Sequence, residues 1–247
     1  MMTGSFFGYL YGWGWPLVIL AIALPLIASL WTKVTFNRYD KVKSSRNMTG
    51  CTAAERILQS NQLSGKFGYG YSVKVERIAG SLTDNYSPKE KILRLSDAVY
   101  SSNSVAAIGV AAHECGHAIQ DANNFLPNKI RAFLIPVANI GSRFGPYMAI
   151  IGVIMTNQMQ DSTFGNLLFN AGILFFFFAV LFYLVTLPVE IDASRRAMKI
   201  LAETGILSSD ELVGARRVLT AAAMTYVAAA AAAIITLLRL LSMRSRR

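Results

Sequence analysis

Residues 167 to 187 read LLFNAGILFFFFAVLFYLVTL, twenty-one positions without a single charged side chain. A helix of that length rises about 30 Å, the thickness of a bilayer's hydrocarbon core. The segment is therefore read as a transmembrane helix. The whole chain agrees: 53% of its residues are hydrophobic and 15% charged, where soluble domains carry about a quarter charged residues.

Three other segments are expected to reach the membrane. Trp15 to Trp31 is an apolar run with an indole at each end, where amphipathic rings favour the interface, and with Pro25 as a kink. It lacks the basic n-region and small-residue cleavage site of a signal peptide, so it is expected to be a retained anchor. Phe133 to Met155 is long enough to span but carries Arg143. That guanidinium must face protein, water or headgroups, or pair with a carboxylate near the site. Val218 to Leu238 is alanine-rich, helical by propensity, with its depth left open.

The formal charge of +10 does not indicate nucleic acid, because the basic residues gather at the ends of apolar segments and form no basic and aromatic surface. Lys33, Arg38, Lys41, Lys43 and Arg46 follow the first span, while no Lys or Arg precedes it. By the positive-inside rule the N-terminus lies outside and residues 33 to about 130 lie in the cytoplasm. Arg195, Arg196 and Lys199 after the third span also fit the inside. A fully spanning fourth helix, however, puts Arg244, Arg246 and Arg247 outside, against the rule. Two cysteines, Cys51 and Cys115, make no disulfide framework and suit a reducing compartment.

The expected organisation is an anchor at 1–32, a cytoplasmic α+β unit at 33–130, two transmembrane helices at 131–188, and a segment at 189–247 ending in the alanine-rich helix. Within the α+β unit, Thr52 and Glu55 suggest a capping box. SVKVERIAG (Ser72 to Gly80) and KILRLS (Lys91 to Ser96) alternate as strands on either side of the turn signal DNYSPK. KILRLS is expected as an exposed edge able to pair with an extended peptide. A helix from near Ser104 to about Asp121 follows.

That helix holds both histidines of the chain, in AAHECGHAIQ. Residues i and i+4 share a helix face, so His113 and His117 can aim one nitrogen each at a common ion. Glu114, about 100° round from His113, can reach a water on that ion without ligating it. This is the H-E-x-x-H arrangement of two zinc ligands and a general base. The alternative is a pair of ordinary helix histidines.

Catalytic zinc takes three protein ligands and an open position, and no third histidine exists. Asp121 would have to curl back along the same helix. Asp161 is expected across the membrane. Glu203, Asp210 and Glu211 look like helix-end charges, Glu211 forming a capping box with Ser208. PVEIDASRRA remains, with Glu190 as the expected third ligand and Asp192 as the alternative, the latter better suited to support a ligand or pair with Arg195 or Arg196. Cys115 points away from His113 and is expected to pack. For the oxyanion, Tyr86, Arg195 and Tyr183 are unranked candidates. The chemistry expected is amide hydrolysis by a zinc-activated water, with Glu114 moving the proton.

VKVERIAGSLTDNYSPKEKILRLSDAVY, VAAHECGHAIQ, IPVANIGSRFGP and LPVEIDASRRA, in that order, resemble the bacterial neutral zinc metallopeptidases of the YugP-like group of membrane proteins. The resemblance covers the chain from about Arg38 to the alanine-rich helix, with GKFGYGY as a short insertion. It implies a multi-pass protein of the bacterial plasma membrane that acts on protein or peptide substrates. The group is similar in plan to HtpX-type membrane proteases and prenyl-protein proteases, in which a glutamate in an E-x-x-A-D pattern completes the site. EIDAS matches with Glu190, and the last acid of the pattern is Ser194 here. The reading is a mainly α membrane protein of multi-pass helices with a small α+β cytoplasmic zinc-peptidase unit, gluzincin-like in its ligand set. Its rivals are a non-catalytic metal-binding scaffold or regulator, and a transporter using Arg143. Intact Glu114 speaks against the first, and the lack of paired intramembrane acids against the second.

Overall fold

The computed structural model describes residues 14–64, 72–159 and 162–244. Asp161 and the GKFGYGY stretch lie outside them. The elements are α1 (Trp15–Asp40), α2 (Gly50–Ser60), β1 (Lys74–Ile78), β2 (Asn85–Ser87), β3 (Ile92–Ser96), α3 (Asp97–Tyr100), α4 (Val105–Ala122), α5 (Leu126–Gln158), α6 (Thr163–Glu203) and α7 (Ser209–Arg244). The protein is mainly helical, and α1, α5, α6 and α7 are each long and apolar enough to cross a membrane. It is a multi-pass α-helical membrane protein with a small α+β portion.

The described residues group into two compact units, one within 1–28, 130–187 and 225–247, the other within 29–129 and 188–224. In the first, α5 and α6 pack closely enough that a Cβ on Gly152 would lie 2.5 Å from the backbone nitrogen of Phe169. Small residues permit such approach where lipid tails remove the hydrophobic drive between helices. Ile19, Ile22, Leu26 and Ile27 of α1 are exposed, as a lipid-facing helix requires. Arg143 makes no ion pair among the described residues, contrary to the carboxylate partner considered for it, and its guanidinium lies 5.5 Å from the Phe144 ring centroid.

The second unit contains the sheet, in the order β1-β3-β2, with β3 parallel to β1 and antiparallel to β2. KILRLS is therefore the central strand, and the edge role expected for it is corrected. The reason is the turn signal, which contains a strand too short to show alternation: Asn85 pairs with Arg94 and Ser87 with Ile92. Asp84 fixes that excursion by accepting hydrogen bonds from the backbone N–H of Ser96 at 2.7 Å and its hydroxyl at 2.9 Å. Burial raises the Asp84 pKa, and these two donors oppose the rise.

Leu93 and Leu95 of β3 are fully buried with Ile57 and Leu58 of α2 and Ile108 of α4 in one apolar cluster. Helix α2 starts one turn earlier than Thr52 and Glu55 suggested. Thr49 is its N-cap and exchanges hydrogen bonds with Thr52, because Thr at both positions completes a box that the Glu55 pattern also resembles. The Ser208–Glu211 box is present, with Ser208 N–H donating to Glu211 Oε2 at 2.8 Å.

Helix α6 continues without a break through Pro188, so the expected span and the expected ligand segment are parts of one helix. A proline inside a long apolar helix forfeits one backbone hydrogen bond, a loss that membrane helices tolerate.

Candidate metal centre

Helix α4 begins as its sequence indicates. Ser104 caps it by accepting from Ala107 N–H at 3.1 Å, and its own hydroxyl donates to Asp40 Oδ1 at 2.7 Å. Beyond the cap, alanines and glycines dominate the buried face, so neighbouring backbones approach closely. The closest approach matters most for the site. A Cβ on Gly116 would lie 2.5 Å from the carbonyl oxygen of Ala193 on α6. Gly116 sits between the two histidines in sequence, and Ala193 sits between Glu190 and Ser194. The missing side chain therefore lets the acid-bearing turn reach the imidazole-bearing one.

His113 and His117 stand one turn apart with ring centroids 4.7 Å apart and planes at 83°. Their Nε2 atoms lie 3.3 and 3.5 Å from the same oxygen, Glu190 Oε2. One ligand atom from each of the three residues falls within 4.8 Å of the others, a group able to hold a metal ion. Donor atoms about 2.0–2.2 Å from a tetrahedral zinc stand roughly 3.3 Å apart, so the spacing fits. Two neutral imidazoles and one carboxylate also make a borderline-hard set with net charge −1, suited to a divalent ion. Glu190 is 3% exposed and the histidine side chains are 14% and 12% exposed. The histidines are thus the partly exposed members of the group, and Glu190 the buried one.

The far nitrogens of both rings are also held. His117 Nδ1 lies 3.0 Å from Gln120 Oε1. Gln120 is itself oriented without ambiguity, since its amide nitrogen donates to two groups that only accept: Val189 carbonyl at 2.8 Å and Asp192 Oδ2 at 2.9 Å. Its oxygen must then face the imidazole, so Nδ1 is the donor in this contact and Nε2 is the nitrogen directed at Glu190. Asp192 also accepts from Arg196 Nε at 2.6 Å. The chain Arg196, Asp192, Gln120, His117 thus ends at a potential ligand. On the other ring, Ser194 Oγ lies 3.1 Å from His113 Nδ1. A hydroxyl occupies the position where the E-x-x-A-D pattern has its last acid, and it reaches the ring.

Among the sequence candidates, His113, His117 and Glu190 come together. Asp192 stands behind them through Gln120. Asp121 accepts from Tyr86 Oη at 2.8 Å and Lys91 Nζ at 2.6 Å, and so is engaged with the sheet. Cys115 is fully buried against Ala54, and burial raises its thiol pKa well above the usual value. Glu114 is buried on α4. Of the oxyanion candidates, Tyr86 is engaged with Asp121, Arg195 is exposed, and Tyr183 belongs to the first unit, its ring against Phe182.

Sequence reasoning missed Gln120 and Gly116. The signal for Gln120 was its i+3 spacing from His117 on one helix face. Gly116 announced itself only as a small residue inside the motif. Because partners that orient a ligating histidine are typically worth 10- to 100-fold in metal affinity, Gln120→Ala is expected to weaken zinc binding by about that factor. A chelator-competition titration checks this, with Gln59→Ala on α2 as a control that leaves affinity unchanged.

Residues 15–245 match the model of a family described as "Putative neutral zinc metallopeptidase". The chain is 40% identical over 224 residues to the "Putative membrane protease YugP" of Bacillus subtilis (strain 168), covering 90% of this chain and 92% of that one. No solved structure matches the chain.

Proposed function

We propose, because this chain belongs to the neutral zinc metallopeptidase family, that it is a membrane-embedded zinc peptidase cleaving protein or peptide substrates. In this reading His113, His117 and Glu190 hold the metal and Glu114 is the general base. The observation that carries it is the convergence of two imidazole nitrogens on one buried carboxylate oxygen at a spacing suited to zinc. The description of the Bacillus relative as a membrane protease supports peptide bonds as the substrate class.

Zinc, when bound there, polarises a carbonyl and lowers the pKa of water toward neutrality. The residues of the chain do the rest. Glu114 accepts a proton from the attacking water on its carboxylate and returns it to the amide nitrogen, so the amine departs neutral and the carboxylate is regenerated. The net reaction adds one water across the C–N bond. Gln120 and Ser194 keep the imidazoles from rotating, so their Nε2 atoms stay directed at one point. The partly exposed histidine side suits the position a catalytic metal leaves for substrate.

The five basic residues after Trp31 support a site on the cytoplasmic side of a bacterial plasma membrane. The ligand assignment is tested by zinc analysis of Glu190→Ala and Asp192→Ala after dialysis against a mild chelator. Glu190→Ala is expected to emerge empty, and Asp192→Ala to retain zinc with affinity reduced about 10- to 100-fold. Full retention in Glu190→Ala, with loss only in Asp192→Ala, would transfer the role to Asp192.

A further inference from the structure

The second unit also contains a cleft of about 410 Å³ bounded by the end of α1 and the start of α7. Helix α1 contributes Trp31, Thr35, Arg38 and Tyr39, which share one face at i, i+4, i+7 and i+8. From α7 come Arg216, Arg217 and Thr220. Arg217 Nη1 donates to Tyr39 Oη at 3.0 Å, and the Arg38 guanidinium lies 5.8 Å from the Tyr39 ring centroid. No carboxylate pairs with any of the three arginines among the described residues.

Three guanidiniums lining one cleft with no carboxylate in ion-pair contact repel one another, and an anion relieves that repulsion. Guanidinium forks match phosphate oxygens in shape and charge, and the two threonine hydroxyls add donors of the same kind. The volume falls within the roughly 300–1,000 Å³ of small-molecule sites.

The position narrows the anion further. Trp31 closes the apolar run of α1, the depth at which indoles settle at a bilayer surface. Leu30 and Val34, beside the cleft residues on α1, are 64% and 65% exposed. A free phosphate would use only the arginines and threonines, whereas a phospholipid would use them for its headgroup and the apolar flank for its chains. We propose that this cleft binds the phosphodiester headgroup of an anionic phospholipid. The bound lipid joins α1 to α7 at the membrane surface, independently of the metal centre.

The test uses the full chain purified in a neutral detergent, titrated with dioctanoyl phosphatidylglycerol, with dioctanoyl phosphatidylcholine and inorganic phosphate as comparators. Native mass spectrometry counts the bound molecules. Phosphatidylglycerol is expected to fill one site, with both comparators at least about tenfold weaker. The double variant Arg216→Gln/Arg217→Gln should lose at least about tenfold in affinity. Lys33→Gln/Lys41→Gln, an equal loss of charge outside the cleft, should lose less than about threefold. Thr220→Trp fills the cleft without changing charge, so it reports the same loss if the arginine variant does not fold. Inorganic phosphate binding as tightly as the lipid would overturn the proposal in favour of a free-anion site. Equal losses in the arginine and lysine variants would overturn it in favour of diffuse attraction.

Discussion

Glu114→Gln is expected to lower kcat for peptide hydrolysis by about 10²- to 10⁴-fold, the usual worth of a positioned general base. The substitution keeps the volume and hydrogen-bonding reach of the side chain but removes its ability to take a proton at neutral pH. Glu114 is buried on the motif helix, beside His113 and not among the three converging donors, so zinc content should stay at the wild-type level. Parallel assays on a casein-like substrate and a membrane-protein substrate, with zinc measured on the same samples, separate the effects. Equal activity in variant and wild type would remove the general-base role. Zinc bound without turnover in the wild type would return the protein to the scaffold reading.

Gly116→Val is expected to disrupt the centre by an entirely different route. A Cβ at this position already falls 2.5 Å from the Ala193 carbonyl oxygen, with the Ala193 carbonyl carbon and Cα at 3.1 Å. All three are backbone atoms that cannot swing aside. The two helices must separate, and with them the imidazoles from Glu190. Overpacking of this kind costs about 1–3 kcal/mol or more, and a displacement near 1 Å is enough to spoil a ligand set that tolerates about 0.2 Å. The expected result is loss of zinc together with a lower unfolding temperature. Gly109→Ala is the control, since its Cβ would meet the Ala215 side chain at an ordinary 3.4 Å and alanine favours the helix. A Gly116→Val protein that kept stoichiometric zinc would show that the close approach does not hold the site together.

Much of this was legible because it depends on short-range periodicity. Uncharged runs marked the spans, since length and hydropathy alone decide whether a helix can cross. The motif helix was legible from its cap to its end, because Ser104 and the i, i+4 pair of histidines are local features. Glu190 is the acid that elimination among few candidates points to, and it is the one that comes together with the two histidines. The sheet was read less well. Its central strand reads as an edge in the sequence, because β2 has three residues and period-2 alternation needs more than that to register. Pro188 suggested a boundary where the helix continues, since a membrane helix tolerates a lost backbone hydrogen bond that a soluble one resists.

The sequence by itself determined the membrane class, the helix carrying the histidines and the residue types able to bind a metal, all consequences of local composition and spacing. Only the tertiary structure decided that residues 188–224 join 29–129 in one compact unit. It also decided that Gly116 admits Ala193, and that Gln120 passes the Asp192 carboxylate's influence to His117. Those are contacts across some seventy to eighty residues of chain. No pattern in the sequence encodes them singly, because each depends on two helix faces being buried against each other.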